Sequence, residues 1–130
     1  MTAPDRVVSH VNVPDGTYRC RVAEVRPGST RAGDERWALR LTVEDGEYAG
    51  RMAAWDSLTF SMRGRARARR VLQALGLPVF GKVTIEPADV EGRTAMVRIV
   101  SAEYQSADGT TVRRSEVPYD GYSPDTGGGA

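Results

Sequence analysis

Arg36-Trp37-Ala38-Leu39-Arg40-Leu41-Thr42-Val43 alternates strictly: Trp37, Leu39, Leu41 and Val43 are apolar, and Arg36, Ala38, Arg40 and Thr42 fall between them. A period of two over eight residues is the mark of a half-buried β-strand, one face on a core and the other in water. Working outward, Tyr18, Cys20 and Val22 alternate with Arg19 and Arg21, and the later Ala23/Val25 placement shifts phase as a β-bulge would. A first strand is expected over about 16–26, with the 27–34 stretch Pro-Gly-Ser-Thr-Arg-Ala-Gly-Asp breaking it. After the polar loop 44–50, residues 51–60 carry Trp55, Leu58 and Phe60 and predict a third strand.

The period then changes. Ala68, Val71, Leu72 and Leu75 share a helical face, and Gly76 followed by Pro78 ends it, predicting one helix over 63–75. Residues 79–90 read as a connection. Strands are expected over about 93–105 and 110–118, joined at Asp108-Gly109. The order of three strands, a helix and two strands is that of a five-stranded OB-fold (oligonucleotide/oligosaccharide-binding) barrel, all-β with one helix between strands three and four. The expected layout is a flexible leader over 1–14, the barrel domain over 15–119 and a glycine-rich flexible tail over 120–130.

Composition narrows the function classes. At 130 residues, 40% hydrophobic and 27% charged, the chain is one soluble-type domain. The formal charge of +1 announces no polyanionic partner, but residues 57–85 hold Arg63, Arg65, Arg67, Arg69, Arg70 and Lys82 with no Asp or Glu. Only one of the 18 basic residues is lysine, a bias that fits a GC-rich genome before it fits selection for bidentate phosphate contacts. Cys20 is the only cysteine, which points to a reducing, cytoplasmic setting, and no secretion signal or membrane anchor is expected.

Catalysis is not expected. His10 is the only histidine and falls in the leader, a lone Cys and a lone His make no four-ligand zinc site, and no phosphate-loop motif is present. No catalytic residue, metal or cofactor is therefore assigned. Asp56, inside a strand beside Trp55, reads first as the ion-pair partner of an arginine, with a metal ligand or a phosphate-repelling discriminator as alternatives.

Binding of a single strand asks for cations along a groove and aromatic faces for unpaired bases. If Trp37 and Leu39 face the core, Arg36 and Arg40 project from the ligand face of the second strand, or merely solvate it. Trp55 has two phases; outward, with Leu58 and Phe60 inward, is preferred. Arg31 in the loop before the second strand and Arg113 and Arg114 at the last hairpin flank the same groove, and Arg51 is counted with them as a contact candidate. The helix arginines rank below them, with Arg63, Arg67 and Arg70 opposite the apolar stripe, Arg65 and Arg69 beside it, and a solvated face as their ordinary role.

Residues 13–18 (Val-Pro-Asp-Gly-Thr-Tyr), 45–51 (Asp-Gly-Glu-Tyr-Ala-Gly-Arg), 74–77 (Ala-Leu-Gly-Leu) and 90–93 (Val-Glu-Gly-Arg) occur in an order that resembles a phage and prophage family. That family, long catalogued as a domain of unknown function, looks like a group of OB-fold single-strand-binding proteins encoded near recombination and replication genes. The resemblance spans roughly residues 13–122. It implies a sequence-tolerant single-stranded-DNA-binding protein in the cytoplasm of a bacterial host, serving a phage recombinase or replication proteins, and a homo-oligomer fits its strand edges. Many single-strand-binding proteins end in an acidic, aromatic-tipped tail; this chain ends in glycines, and recruitment through such a tail is not expected. The rival reading is an OB-fold protein-interaction or structural module without nucleic-acid binding, its basic helix paired with an acidic partner.

Overall fold

The computed structural model describes residues 7–125. Its strands are β1 (Val7–His10), β2 (Gly16–Ser29), β3 (Glu35–Val43), β4 (Met52–Thr59), β5 (Thr94–Gln105), β6 (Thr111–Glu116) and the two-residue β7 (Tyr122–Ser123). Helix α1 spans Arg65–Ala74, and the single turn α2 spans Pro87–Val90. The fold is mostly β, a sheet with neighbour order β1-β6-β5-β2-β3-β4, to which β7 adds by pairing with β5.

The long strand β2 makes the sheet curl. Its first half pairs with β5 over Gly16–Arg21, and its second half pairs with β3 from Cys20 to Ser29. The register shifts between Val22 and Glu24, the bulge that the phase change at Ala23 predicts. Curling brings β4 and β6, far apart in the order, into contact without a ladder between them. Asn12 bridges this seam. Its backbone N–H donates to Ser115 Oγ of β6 at 3.0 Å, and its side-chain Nδ2 donates to the Ala53 carbonyl of β4 at 3.2 Å.

The concave face is the core. Val22, Leu39, Leu41, Val97 and Ile99 are fully buried, Trp37 joins them, and the α1 residues Ala68, Val71, Leu72 with the following Leu75 complete the cluster. The alternation of β3 and the helical stripe therefore hold as read. Helix α1 ends in a Schellman motif: Gly76 adopts φ 86°, its N–H donates to the Gln73 carbonyl at 2.9 Å, and the Leu77 N–H donates to Leu72 at 3.0 Å. At the other end Gly64 is needed for space, since a Cβ there would stand 2.2 Å from the Thr59 carbonyl oxygen.

Four expectations need correction. Pro27-Gly28 does not break the first strand; Pro27 pairs opposite Trp37 and β2 runs to Ser29, because proline tolerates a ribbon whose other edge is free of partners. The expected leader contains β1, which pairs in parallel with β6, Val7 opposite Thr111 and His10 opposite Arg114. The 79–90 connection contains α2, whose Asp89 carboxylate accepts from the Glu86 N–H at 2.8 Å. The expected tail is tied down at Tyr122–Ser123, so ordered chain passes residue 119 and the sheet has more strands than the five expected. Residues 1–6 and 126–130 of the expected leader and tail lie outside the described residues. No helix among the described residues is long and apolar enough to cross a membrane.

Candidate nucleic-acid interface

Pairing across β2, β3 and β4 fixes which side chains share the convex face. Glu24 stands opposite Arg40, and Arg40 opposite Trp55; the next row is Arg26, Ala38 and Ser57, and the next is Gly28, Arg36 and Thr59. Residues directly opposite in antiparallel strands point to the same side, so a carboxylate, four arginine and tryptophan positions and two hydroxyls form one lattice. Trp55 is outward, 38% exposed, while Leu58 is buried.

A hollow of about 370 Å³ lies over this lattice, lined by Arg26, Arg36, Trp55, Asp56 and Ser57 together with Arg114 of β6. A second, of about 480 Å³, continues from it past the seam, where Trp55 and Arg114 are joined by His10, Met52, Tyr104 and Glu116. Trp55 and Arg114 line both, so the two hollows form one groove running from β3 over β4 to β6.

Its charges are partly spoken for. Glu24 accepts from Arg26 Nε at 2.6 Å and from Arg40 Nε at 3.2 Å, and the Arg26 hydrogen bond, then that of Arg40 against some desolvation, holds its carboxyl below the usual glutamate value. The Arg26 guanidinium lies 4.9 Å from the centre of the Trp55 ring, a cation–π contact that covers one face of the indole. Arg36 donates through Nε and Nη2 to Ser57 Oγ at 3.1 and 2.8 Å and has no carboxylate partner among the described residues. Arg114 sits 5.3 Å from the Tyr104 ring centre, also without an ion pair among the described residues. Tyr104 donates its hydroxyl to Glu116, and this bond chiefly, with desolvation behind it, raises the phenol above its ordinary value.

Asp56 borders the groove but faces α1. Its Oδ2 accepts from Arg67 Nη2 and from the Tyr122 hydroxyl, each at 2.9 Å. Arg67 also donates to the carbonyls of Ser57 and Tyr119, both at 3.1 Å. Burial, followed by the charge of Asp56, pushes the Tyr122 phenol well above its usual value. Asp56 is thus the arginine partner that its strand position suggests. Arg67 is misplaced by the helical-angle reading: it lies one turn before Val71, at the border of the apolar stripe, and turns inward.

Of the expected contact residues, Arg36, Trp55 and Arg114 come together, and Arg40 adjoins them on Glu24. Three do not. Arg31 stands exposed in the 30–34 turn away from both hollows. Arg51 lies over the Tyr48 ring at 5.7 Å and donates to the carbonyl of Asn12, the residue that bridges the seam, and it lines neither hollow. Arg113, on the opposite face of β6 from Arg114, pairs with Glu103 at 2.6 Å. Arg26 and Tyr104 were missed. The signal for Arg26 is the bulge itself, since beyond the register shift Glu24 and Arg26 fall in phase with the outward Arg40 and Trp55.

No group of three or more His, Cys, Asp or Glu side chains among the described residues is placed to hold a metal ion. Compared with models of known protein families and with curated proteins, the chain matches none.

Proposed function

We propose that this protein is an OB-fold single-stranded-DNA-binding protein that works in the cytoplasm of a bacterial host during phage or prophage recombination or replication, without catalysis. The observation that carries the reading is the groove lined by Trp55 and Tyr104 together with Arg26, Arg36 and Arg114. Aromatic faces receive unpaired bases whatever their identity, and guanidinium groups replace the counterions of the backbone.

Topology supports the fold assignment. The neighbour order β6-β5-β2-β3-β4, with α1 between β4 and β5, is that of OB strands five, four, one, two and three. OB proteins bind oligonucleotides over strands two and three and the loops joining strands one to two and four to five, and the groove crosses the corresponding β3 and β4. The likeness of the turn motifs to the phage family points the same way.

Titration of labelled oligothymidylate at increasing salt tests the reading. The logarithm of the binding constant should fall linearly with the logarithm of salt concentration, and tryptophan emission should be quenched on binding. A protein that leaves the oligonucleotide free at low salt is not a single-strand binder.

A further inference from the structure

Sharing no residue with the groove, a shallow hollow of about 160 Å³ lies between α1 and the 79–85 segment. Its floor is apolar, made by Phe60, Leu72, Val79, Val83 and Ile85, and its rim is formed by Arg65 and Arg69 of α1. The surroundings continue both themes. Phe80 is 71% and Val83 43% exposed, and Lys82 stands between them in the sequence.

These cations differ from most others in the protein. Arg19, Arg21, Arg26, Arg40, Arg67, Arg98 and Arg113 each meet a carboxylate within 4 Å, whereas Arg63, Arg65, Arg69, Arg70 and Lys82 have none among the described residues. No Asp or Glu occurs in residues 57–85 to neutralise them. The result is an apolar hollow the size of one large side chain, bordered on its α1 side by two arginines, Arg65 and Arg69, that meet no carboxylate among the described residues.

We infer that this hollow is a docking site for an acidic segment of a partner protein that carries an aromatic or aliphatic anchor between its carboxylates. The anchor fills the space between Leu72 and Val83, and the flanking carboxylates meet Arg65 and Arg69. Charge complementarity gives the sign of the partner, and the apolar floor gives its class. Nucleic acid supplies the charge but prefers flat aromatic platforms, and four of the five floor residues are aliphatic. The site is separate from the groove over β3 and β4, so single-strand binding and partner recruitment can occur together.

A fluorescein-labelled peptide in which Phe and Leu alternate with Asp and Glu tests the inference by anisotropy. The control peptide has Ser in place of Phe and Leu. The wild type should bind the first peptide at least tenfold more tightly than the control, and the double variant R65E/R69E should weaken it by a similar factor. Val83→Asn, at an exposed position, should reduce peptide affinity without altering the charge. Equal binding of both peptides, or none, overturns the inference. So does displacement of the peptide by oligothymidylate with a matching loss of oligothymidylate binding in R65E/R69E, which assigns the face to DNA. Concentration-dependent self-association abolished by Val83→Asn also overturns it, because the occupant is then a second copy of this chain.

Discussion

Arg67 of α1 reaches Asp56 of β4 at 2.9 Å, with only 14% and 11% of the two side chains exposed. The same carboxylate accepts from Tyr122, so one acceptor ties the helix, the third strand of the meander and the C-terminal segment together. Removing either partner strands a charge that is largely out of water. Arg67→Ala and Asp56→Asn should each cost about 2–4 kcal/mol, toward the lower side of what broken buried pairs lose because some solvent reaches this one. Urea unfolding of the two single variants and the double variant measures this. The double variant should lose less than the sum, and additive losses would show that the two side chains act independently.

In the groove, Arg36 and Arg114 have no carboxylate partner among the described residues, and on the proposed function they are the cations that meet phosphate while Trp55 supplies the flat face. Replacing both arginines by alanine should weaken oligothymidylate binding and flatten the salt dependence by roughly 0.7 in log–log slope for each phosphate no longer neutralised. Trp55→Ala should instead reduce affinity at every salt concentration by about 1–3 kcal/mol for the base it stacks, with the slope nearly unchanged. An unaltered slope in the double arginine variant would move the site elsewhere.

Glu24 holds Arg26 and Arg40, and on the proposed function it competes with phosphate for them. Its carboxyl titrates lower in the folded protein than in the unfolded chain, so its contribution to stability is present above the ordinary glutamate range and is lost as pH falls through the lowered folded value. Binding runs the opposite way. Protonation of Glu24 releases both guanidinium groups, and oligothymidylate affinity should rise as pH drops through that range. At neutral pH Glu24→Gln should mimic this, tightening binding by a factor on the order of 3–10. A weaker complex in that variant would mean that Glu24 chiefly positions the arginines.

Cys20 lies on the inner face of β2 between Val43 and Ala95, and burial pushes its thiol up to about 12. Buried and protonated, it should resist iodoacetamide at neutral pH and react only when the sheet opens. Labelling followed by mass spectrometry across a urea series should therefore track global unfolding, and rapid modification of the native protein would place a local opening at the β2–β5 pairing.

The meander and helix were legible because each is written in a local period: Trp37 to Val43 by twos, Ala68 to Leu75 by helical turns, with Gly76 as the stop. What escaped was set by distant partners. Val7–His10 has no period long enough to read, and it is a strand only because β6 lies beside it. Pro27-Gly28 carries the composition of a turn, yet the opposing Trp37 and Arg36 hold it extended. The site divides the same way. Arg36 and Trp55 follow from strand phase, while the engagement of Arg40 by Glu24 depends on a register that the bulge sets, and the inward turn of Arg67 on a carboxylate eleven residues away in another element.

The clasp at Asn12 also carries an instruction about time. The Ser115 hydroxyl that Asn12 binds follows it in the chain by 103 residues, and β1 must wait about as long for β6. The β2–β3–β4 meander can assemble from neighbouring chain as it leaves the ribosome, whereas the seam cannot close until Ser115 and the rest of β6 have been synthesised. Until then the aliphatic inner face stays open along one side, and a ribosome stalled before residue 115 displays a sheet that has curled without shutting.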